Sequence, residues 1–488
     1  MERVLKKNLE REITFRTAPS YRLPEIPGET LSPRVFTSTY YDSADFRLTR
    51  LGVILRRRTE RKRVCWQLMI PRNTSRLELE ISSGRSTPPE PFSDLLFGVL
   101  RHKPLNPMVK LRTLRSGIKM QRNDHPIAEV VLDRVAILDD RRVAGRLNEV
   151  HVEPYSDNGK DLSALEKSLR ESGAQDGDLR PQVAQALHLN FPSHSRNVPL
   201  GHSPLEYLPV IMQKHYLDIL LHDPGTRLGQ DSEELHQMRV GFRKFRSFLR
   251  AAQAMLVPEW YANLQGELKW IGDILGTVRD FDVLSSRLGN EAKFLSPSER
   301  VRFDHVLATL RTQGSHARNQ LLLALRSDRY LSLLTQLEQA VQTPAFQGNY
   351  EISLMGMASK EFKRLMKTSK TGYTEASDQD LHNLRIRTKH ARYAVELALE
   401  STGKSGVRYV RQTRQVQEVL GDHQDGILME EHLRKLLQTT RSLPTAFVIG
   451  QIVERAQARR RQAKALFPRE WKKLKKRGRE TFMHQFAK

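Results

Sequence analysis

Two textures divide the chain. From Glu10 to Pro154, apolar and polar residues alternate in short runs broken by Pro, Gly, Asn and Ser, the pattern of strands and hairpins. Arg76, Glu78 and Glu80 alternate with Leu77, Leu79 and Ile81, and Glu149, His151 and Glu153 alternate with Val150 and Val152. Successive strand residues face opposite ways, so such a segment has one charged and one apolar face. A helix, roughly Leu162 to Ser172, closes this region, and loop formers then cluster at Phe191-Pro192-Ser193 and Gly201-His202-Ser203-Pro204. Beyond them apolar residues recur at helical spacing almost to the end. The pattern predicts a multidomain α+β chain: an antiparallel β domain over 1–190, a linker over 191–203 and an all-α domain over 204–488. Lys370 to Asp380 and the basic run Lys472 to Arg477 are expected to be loosely ordered, the latter as a solvated end.

A single pattern occurs twice within the helical region. His236, Arg239, Arg243 and Arg246 have the same spacing as His382, Arg385, Lys389 and Arg392. At about 100° per residue each set falls within an arc of roughly 80°, a ridge of positive charge along one side of a helix. Arg250 extends the first ridge by a turn, whereas Glu396 stands at the equivalent place in the second and is expected to weaken it. Met238, Phe242, Phe245, Phe248 and Leu249 lie on another face, giving that helix a core side and a cationic side. Downstream, Leu275-Gly276-Thr277-Val278-Arg279-Asp280 is echoed by Leu420-Gly421-Asp422-His423-Gln424-Asp425, a repeat displaced by about 145 residues. Two helical bundles, about 204–345 and 346–488, are therefore expected to pair their basic faces across a groove that holds a polyanion. Arg279, Asp280, Asp282, Asp422 and Asp425 are expected to pair within the fold and orient the ridges. Lys244 and Arg387 fall off the ridges and are expected to matter less. His236 and His382 have a second reading, as groups that hydrogen-bond within the fold, because neutral imidazole has little affinity for anions.

Composition points the same way. A chain of 488 residues is too long for one core. Its 80 Lys and Arg against 56 Asp and Glu give a net charge of +24, divided as +8 over 1–195 and +16 over 196–488, so an anionic partner is expected and the helical region should hold it. Cys65 is the lone cysteine, which excludes an intramolecular disulfide and fits a reducing, cytoplasmic setting. No stretch approaches the roughly 20 apolar residues of a membrane span, and Met1 to Lys7 lacks a signal-peptide core, so a soluble chain without a membrane partner is expected.

Pattern alone leaves the charged strand faces open to two readings. One is a sheet whose charged face meets water. The other is a barrel with a polar lumen, where arginines hold phosphate oxygens and carboxylates hold a bridging divalent cation. The order Glu10-Arg11-Glu12, Tyr40-Tyr41-Asp42, Leu55-Arg56-Arg57-Arg58, Arg76-Leu77-Glu78-Leu79-Glu80 and Glu149-Val150-His151-Val152-Glu153 resembles the CYTH domain of the triphosphate tunnel metalloenzymes, over about residues 1–190. The resemblance implies an eight-stranded antiparallel tunnel barrel that binds triphosphate compounds and, in active members, hydrolyses or cyclises them with magnesium or manganese. It further implies that Arg56, Arg58, Arg76 and Arg112 hold phosphates, that Glu10, Glu12 and Glu153 hold the metal, and that Glu10, Glu12, Arg56 and Arg58 carry catalysis. Three positions depart from the family pattern: Thr14 and Pro71 stand where lysines are usual, and His151 where a glutamate is usual. Losing two phosphate-directed cations weakens a site that works by electrostatics.

The duplicated His-x-x-Arg helices, with Arg279-Asp280-Phe281-Asp282 after the first, resemble the CHAD domain over about residues 204–488. That resemblance implies binding of inorganic polyphosphate by His236, Arg239, Arg243, Arg246, Arg250, His382, Arg385, Lys389 and Arg392, and association with polyphosphate granules. Polyphosphate carries about one charge per phosphate and offers only oxygen acceptors, which guanidinium and ammonium groups match. Three functions compete: polyphosphate binding, with the tunnel taking triphosphate or a polymer end; a metal-dependent triphosphatase or polyphosphatase; and nucleic-acid binding, for which the chain has no recognised motif and the ridges carry few stacking aromatics.

Overall fold

The structure, a computed structural model, describes the chain apart from residues 1–5, 11–12, 73–74, 123–124, 141, 156–158, 178–181, 190–203, 348–352, 369–375 and 487–488. It forms two compact units, residues 1–193 and 194–488. The expected linker over 191–203 lies outside the described residues.

The first unit is one antiparallel sheet. Its strands are β1 (Lys6–Glu10), β2 (Ile13–Thr17), β3 (Gly28–Asp42), β4 (Ile54–Glu60), β5 (Arg63–Pro71), β6 (Arg76–Ser82), β7 (Asn106–Arg122), β8 (His125–Asp139), β9 (Arg142–Pro154) and the two-residue β10 (Gln175–Asp176). The hydrogen-bonded order is β1-β6-β5-β4-β3-β7-β8-β9-β2-β10. Among the described residues no ladder joins the two ends, but only two residues separate β1 from β2 in sequence. Such a connection spans no more than about 11 Å even when extended. The described sheet is thus an open ladder whose two ends lie within one short connection of each other, the arrangement of a tunnel fold. With β1 and β2 taken as two halves of one strand and β10 as a short addition, the tunnel has the expected eight strands.

Apolar residues turn outward, under helices. The short helices α1 (Arg47–Arg50), α2 (Glu90–Leu95) and α3 (Phe97–Leu100) contribute Leu48, Phe92, Leu95 and Val99, all buried, and Trp66, Leu68, Ile70, Leu77, Leu79 and Ile81 of β5 and β6 are likewise at most 3% exposed. Asp42 fixes α1 by accepting from the amides of Leu48 (2.9 Å) and Thr49 (2.8 Å), so the last residue of Tyr40-Tyr41-Asp42 has a structural role. On the other side, α4 (Gly159–Glu171) lays Leu162, Leu165 and Leu169 on Phe15, Val130, Leu132, Val150 and Val152. The charged strand faces therefore line the interior, and the reading of a charged face turned to bulk water is set aside. The helix α5 (Gln182–Ala186) puts Val183 and Ala186 against Tyr40, Val109, Leu111 and Val135, residues of the inner face, and so stops part of the tunnel.

The second unit is helical: α6 (Pro204–Leu228), α7 (Ser232–Ala251), α8 (Pro258–Ala292), α9 (Pro297–Leu325), α10 (Asp328–Gln342), α11 (Leu354–Thr368), α12 (Asp378–Leu397), α13 (Leu399–Thr439, kinked at Gly403) and α14 (Leu443–Phe486). The ridges lie on α7 and α12. Both helices start on strong caps: Asp231 accepts from the Glu233 amide, and Ser377 and Asp380 form a reciprocal capping box. The core side of α7 is fully buried through Met238, Phe242, Phe245, Phe248 and Leu249. Gly241 allows a close approach to α6, since a Cβ there would meet Ile219 Cγ1 at 2.8 Å. One apolar cluster then joins the repeats, with Leu288, Phe303 and Leu310 of α8 and α9 meeting Leu433, Ile449 and Ile452 of α13 and α14.

Two order expectations need correction. Asp378 to Asp380 form the capped first turn of α12, while residues 370–375 lie outside the described residues. The run from Lys472 to Arg477 is not a solvated end. It continues α14, anchored because Trp471 and Leu474 at helical spacing are fully buried.

Asp223 on α6 is fully buried and accepts from Arg227 and from the Tyr330 hydroxyl (2.6 Å), while Arg227 also donates to the Leu325 carbonyl (2.8 Å). Removing one member of a buried ion pair strands the other charge. Asp223→Ala is therefore expected to lower the stability of the helical unit by about 3–5 kcal/mol, measured as the shift of its urea transition followed by helical circular dichroism.

Candidate functional site

Strand register places one set of polar groups on the tunnel's inner face. Tyr40 pairs with Arg56 and Ser38 with Arg58 across β3 and β4; Arg56 pairs with Gln67 across β4 and β5, and Gln67 with Glu80 across β5 and β6. On the opposite wall Arg115 pairs with Asp133, Asp133 with Glu149, and His151 with Thr14. Arg56 donates to Gln67 Oε1 (2.8 Å) and approaches the Tyr40 hydroxyl (3.4 Å). Arg58 stacks on the Phe36 ring at 3.7 Å with Arg115 over the same ring at 5.6 Å, so Arg56, Arg58 and Arg115 converge. Burial, followed by the charge of Arg56, lowers the Arg58 pKa from its usual value.

The carboxylates of this wall are engaged by side chains of the fold. Arg115 donates to both oxygens of Asp133, each at 2.8 Å. His151 Nε2 lies 3.6 Å from Asp133 and 3.5 Å from Glu149, and its Nδ1 bonds Thr14 Oγ1 at 3.2 Å. Two of the positions that depart from the family pattern, Thr14 and His151, are thus bonded to each other. Gln182 and Gln185 donate to Glu149, and Gln182 accepts from Tyr40 (2.8 Å). Burial pushes the Glu149 pKa up, but His151 and the two glutamines outweigh it and hold the group below the usual carboxylate range. Glu153 lies on the same face opposite Glu129. Among the described residues no three His, Cys, Asp or Glu side chains gather as a cation site, so the described carboxylates do not by themselves fit magnesium or manganese. Glu12 and the Glu10 side chain lie outside the described residues.

Of the predicted tunnel arginines, Arg56 and Arg58 lie on the inner face, and Arg76 lies at its edge, 4.0 Å from Glu78. Arg112 requires correction. It pairs with Thr37, on the face opposite Ser38 and Arg58, and its side chain is exposed. Arg115, three residues on, therefore faces the other way, into the tunnel. Alternation separates these two arginines but does not say which face is concave, and Asp133, the partner that identifies Arg115, is distant in sequence.

In the helical unit α7 and α12 pack side by side and their ridges meet. Arg239, Arg243, Arg385 and Lys389 lie within electrostatic range of one another, and all are half-buried. Asp280 and Asp425 stand between them: Asp280 faces Arg239 and Arg385, and Asp425 faces Arg385. Burial raises the Asp280 pKa, aided by the charge of Asp425 and opposed by that of Arg239. On the α7 ridge there are also contacts to uncharged groups: Arg243 Nε to the Tyr393 hydroxyl (2.9 Å) and Arg246 Nε to Gln265 (3.1 Å). His382 Nδ1 meets Gln424 Oε1 at 3.0 Å, an internal hydrogen bond. Buried His236 Nδ1 has no partner among the described residues, and burial, then Arg279, lowers its pKa.

Acid pairing differs in some respects from expectation. Asp280 serves the ridges, but Asp422 and Asp425 also bond Arg287 of α8 at 3.1 and 2.7 Å, and Asp282 faces Arg279 and Arg318. Glu396 draws Arg392 to 3.5 Å and Arg414 to 3.7 Å. Arg287, Tyr393 and Gln265 have no periodic signature that marks them as partners.

Lys389 concentrates the electrostatics. Burial first, then Arg385, Arg243, Arg239 and Arg392, lower its pKa to about 7. The folded pKa lies below the unfolded value, so between about pH 7 and 10.5 the unfolded chain binds the extra proton and stability rises with pH. Lys389→Met is expected to raise the thermal midpoint of the helical unit at pH 6 and to abolish that share of the rise between pH 6 and 9, read by circular dichroism.

The family model of the CYTH domain matches residues 2–180 and that of the CHAD domain residues 210–434. The uncharacterized protein Rv2226 of Mycobacterium tuberculosis is 27% identical over 463 residues, 88% of each chain. Among solved structures, PptA from Streptomyces chartreusis is 17% identical with a TM-score of 0.47, covering 55% of this chain and 98% of its own. The CHAD domain from the plant Ricinus communis is 25% identical with a TM-score of 0.42, covering 57% of this chain and 91% of its own.

Proposed function

The chain is a CYTH domain followed by a CHAD domain, and on that premise we propose that it binds inorganic polyphosphate along the groove between α7 and α12, with the tunnel taking a triphosphate or a polymer end. The observation that carries this reading is the meeting of the two duplicated ridges, where Arg239, Arg243, Arg385 and Lys389 share few acids. Each cation held in that cluster repels its neighbours, and the repulsion is relieved when an anion of matching charge density enters. A polymer of tetrahedral phosphates supplies acceptors at short, regular spacing, and each half-buried guanidinium retains donors for them. The tyrosine in the groove, Tyr393, is buried and occupied by Arg243, so it offers no platform for a nucleobase. Association with polyphosphate granules follows within the same proposal, with magnesium or manganese as companions of the anion rather than of the described carboxylates. Among the described residues no helix is long and apolar enough to cross a membrane.

The second reading, a metal-dependent triphosphatase, draws on the convergence of Arg56, Arg58 and Arg115 inside the tunnel. Those cations suit three phosphoryl groups. Thr14 and His151 in place of a lysine and a carboxylate remove one phosphate contact and one acid from the same wall.

The test is direct binding of long-chain polyphosphate to the full chain at near-physiological salt, with duplex DNA as competitor. Arg239→Ala/Arg385→Ala is expected to weaken binding at least 100-fold and reduce its salt dependence, and DNA is expected not to displace the polymer from the wild-type chain at matched charge. Wild-type binding that the double variant retains, or that DNA removes, refutes the groove. Release of phosphate from tripolyphosphate with added magnesium, abolished by Arg56→Ala, would instead establish the triphosphatase.

A further inference from the structure

Beside the groove lies a cavity of about 550 Å³ between the end of α7 and the helices α11 and α12. Its walls include Arg250, Arg364, Lys367, Arg387 and His390. Arg387 is the residue that helical spacing excludes from the second ridge, and Arg364 and Lys367 belong to α11, outside both duplicated ridges. Among the described residues that line the cavity Glu361 is the one acid, and it is bonded to Arg364. None of the described residues that line it is Phe, Tyr or Trp. The net charge of the described lining is positive, the volume is that of a ligand site, and no described lining residue offers a stacking face for a nucleobase.

Arg250 connects this cavity to the groove, because it ends the α7 ridge and also forms a cavity wall. Its guanidinium lies 3.4 Å from His390 Nε2, the residue after Lys389. An arginine can only donate, so Nε2 accepts and the neutral ring carries its proton on Nδ1. That Nδ1 is buried and has no partner among the described residues. Burial, followed by the charges of Arg250, Arg387, Lys389 and Arg246, lowers the His390 pKa to about 4 and keeps the ring neutral. His390 therefore adds no charge. It holds Arg250 at the junction of groove and cavity.

We propose that this cavity is a second oligophosphate subsite, continuous with the groove through Arg250, in which Arg364, Lys367 and Arg387 hold a run of phosphates beyond the ridges. The inference rests on the polyphosphate reading and deepens it. The same chemistry would accept a separate, compact multiphosphorylated molecule, so the experiment carries both sources.

The full-length chain would be titrated with long-chain polyphosphate and with inositol hexakisphosphate, as wild type, as Arg364→Ala/Lys367→Ala/Arg387→Ala and as Arg239→Ala/Arg385→Ala. Lys367→Glu alone, at an exposed helix position, serves if the triple variant does not fold by circular dichroism. The expected result is a loss of about tenfold or more in polymer affinity for the cavity variant, with a salt slope shallower by roughly two to three. Wild-type polymer affinity and slope in that variant, alongside loss in the ridge variant, overturn the continuous subsite. If the wild type binds no polyphosphate, the groove reading has failed by itself. Inositol hexakisphosphate then decides: binding lost in the cavity variant upholds the subsite, while unchanged or absent binding overturns it.

Discussion

Like charge held close against its own repulsion is the constraint on which this molecule is built. Arg239, Arg243, Arg385, Lys389 and Arg392 crowd one side of α7 and α12, and the pull of burial and mutual repulsion is strong enough to bring an ammonium group down to a pKa of about 7. Such a cluster persists only because something stronger holds the two helices in place. On α7 that is the opposite face, where Met238, Phe242, Phe245 and Phe248 are at most 3% exposed. Burying an aromatic or aliphatic side chain contributes roughly 1.5–3 kcal/mol each. The core side thus stabilises a geometry that the cationic side opposes, and the opposition makes the groove receptive to anions.

The tunnel meets the same constraint differently. Arg56, Arg58 and Arg115 also converge, but Asp133, Glu60, Gln67 and Tyr40 meet them, and Asp133 takes both donors of Arg115. There the cations are largely answered from within the fold, and in the groove they are answered sparsely, by Asp280, Asp425 and, at Arg392, Glu396. His151 is the clearest mark of the difference. Standing between Asp133 and Glu149, it ties two carboxylates to the wall, and Thr14 meets its other nitrogen. A wall satisfied in this way orients its arginines but spends its acids on doing so.

Much of this was legible along the chain because period carries local information. Alternation marked β6 and β9, the 3.6-residue period marked α7 and α12, and duplication showed that their basic faces belong together. Where expectation and structure diverge, the missing quantity is spatial. Arg112 and Arg115 differ by an odd number of residues, so alternation separates them, yet only the curl of the sheet makes one face concave. The run from Lys472 to Arg477 looks like a loose basic end, because its charge dominates the composition, whereas two buried residues, Trp471 and Leu474, hold it in α14.

The sequence by itself determined the division into a β unit and a helical unit, the strand and helix types, and the existence of two equivalent cationic ridges, since each depends on spacing between near neighbours. Tertiary structure decided which arginines meet and what answers them. Arg115 finds Asp133 across two strands, Arg287 reaches Asp422 and Asp425 in the other repeat, and Arg250 meets His390 across two helices. Such pairings join residues up to 140 positions apart. Electrostatic energy depends on distance and burial in space, and neither is a periodic property of the chain.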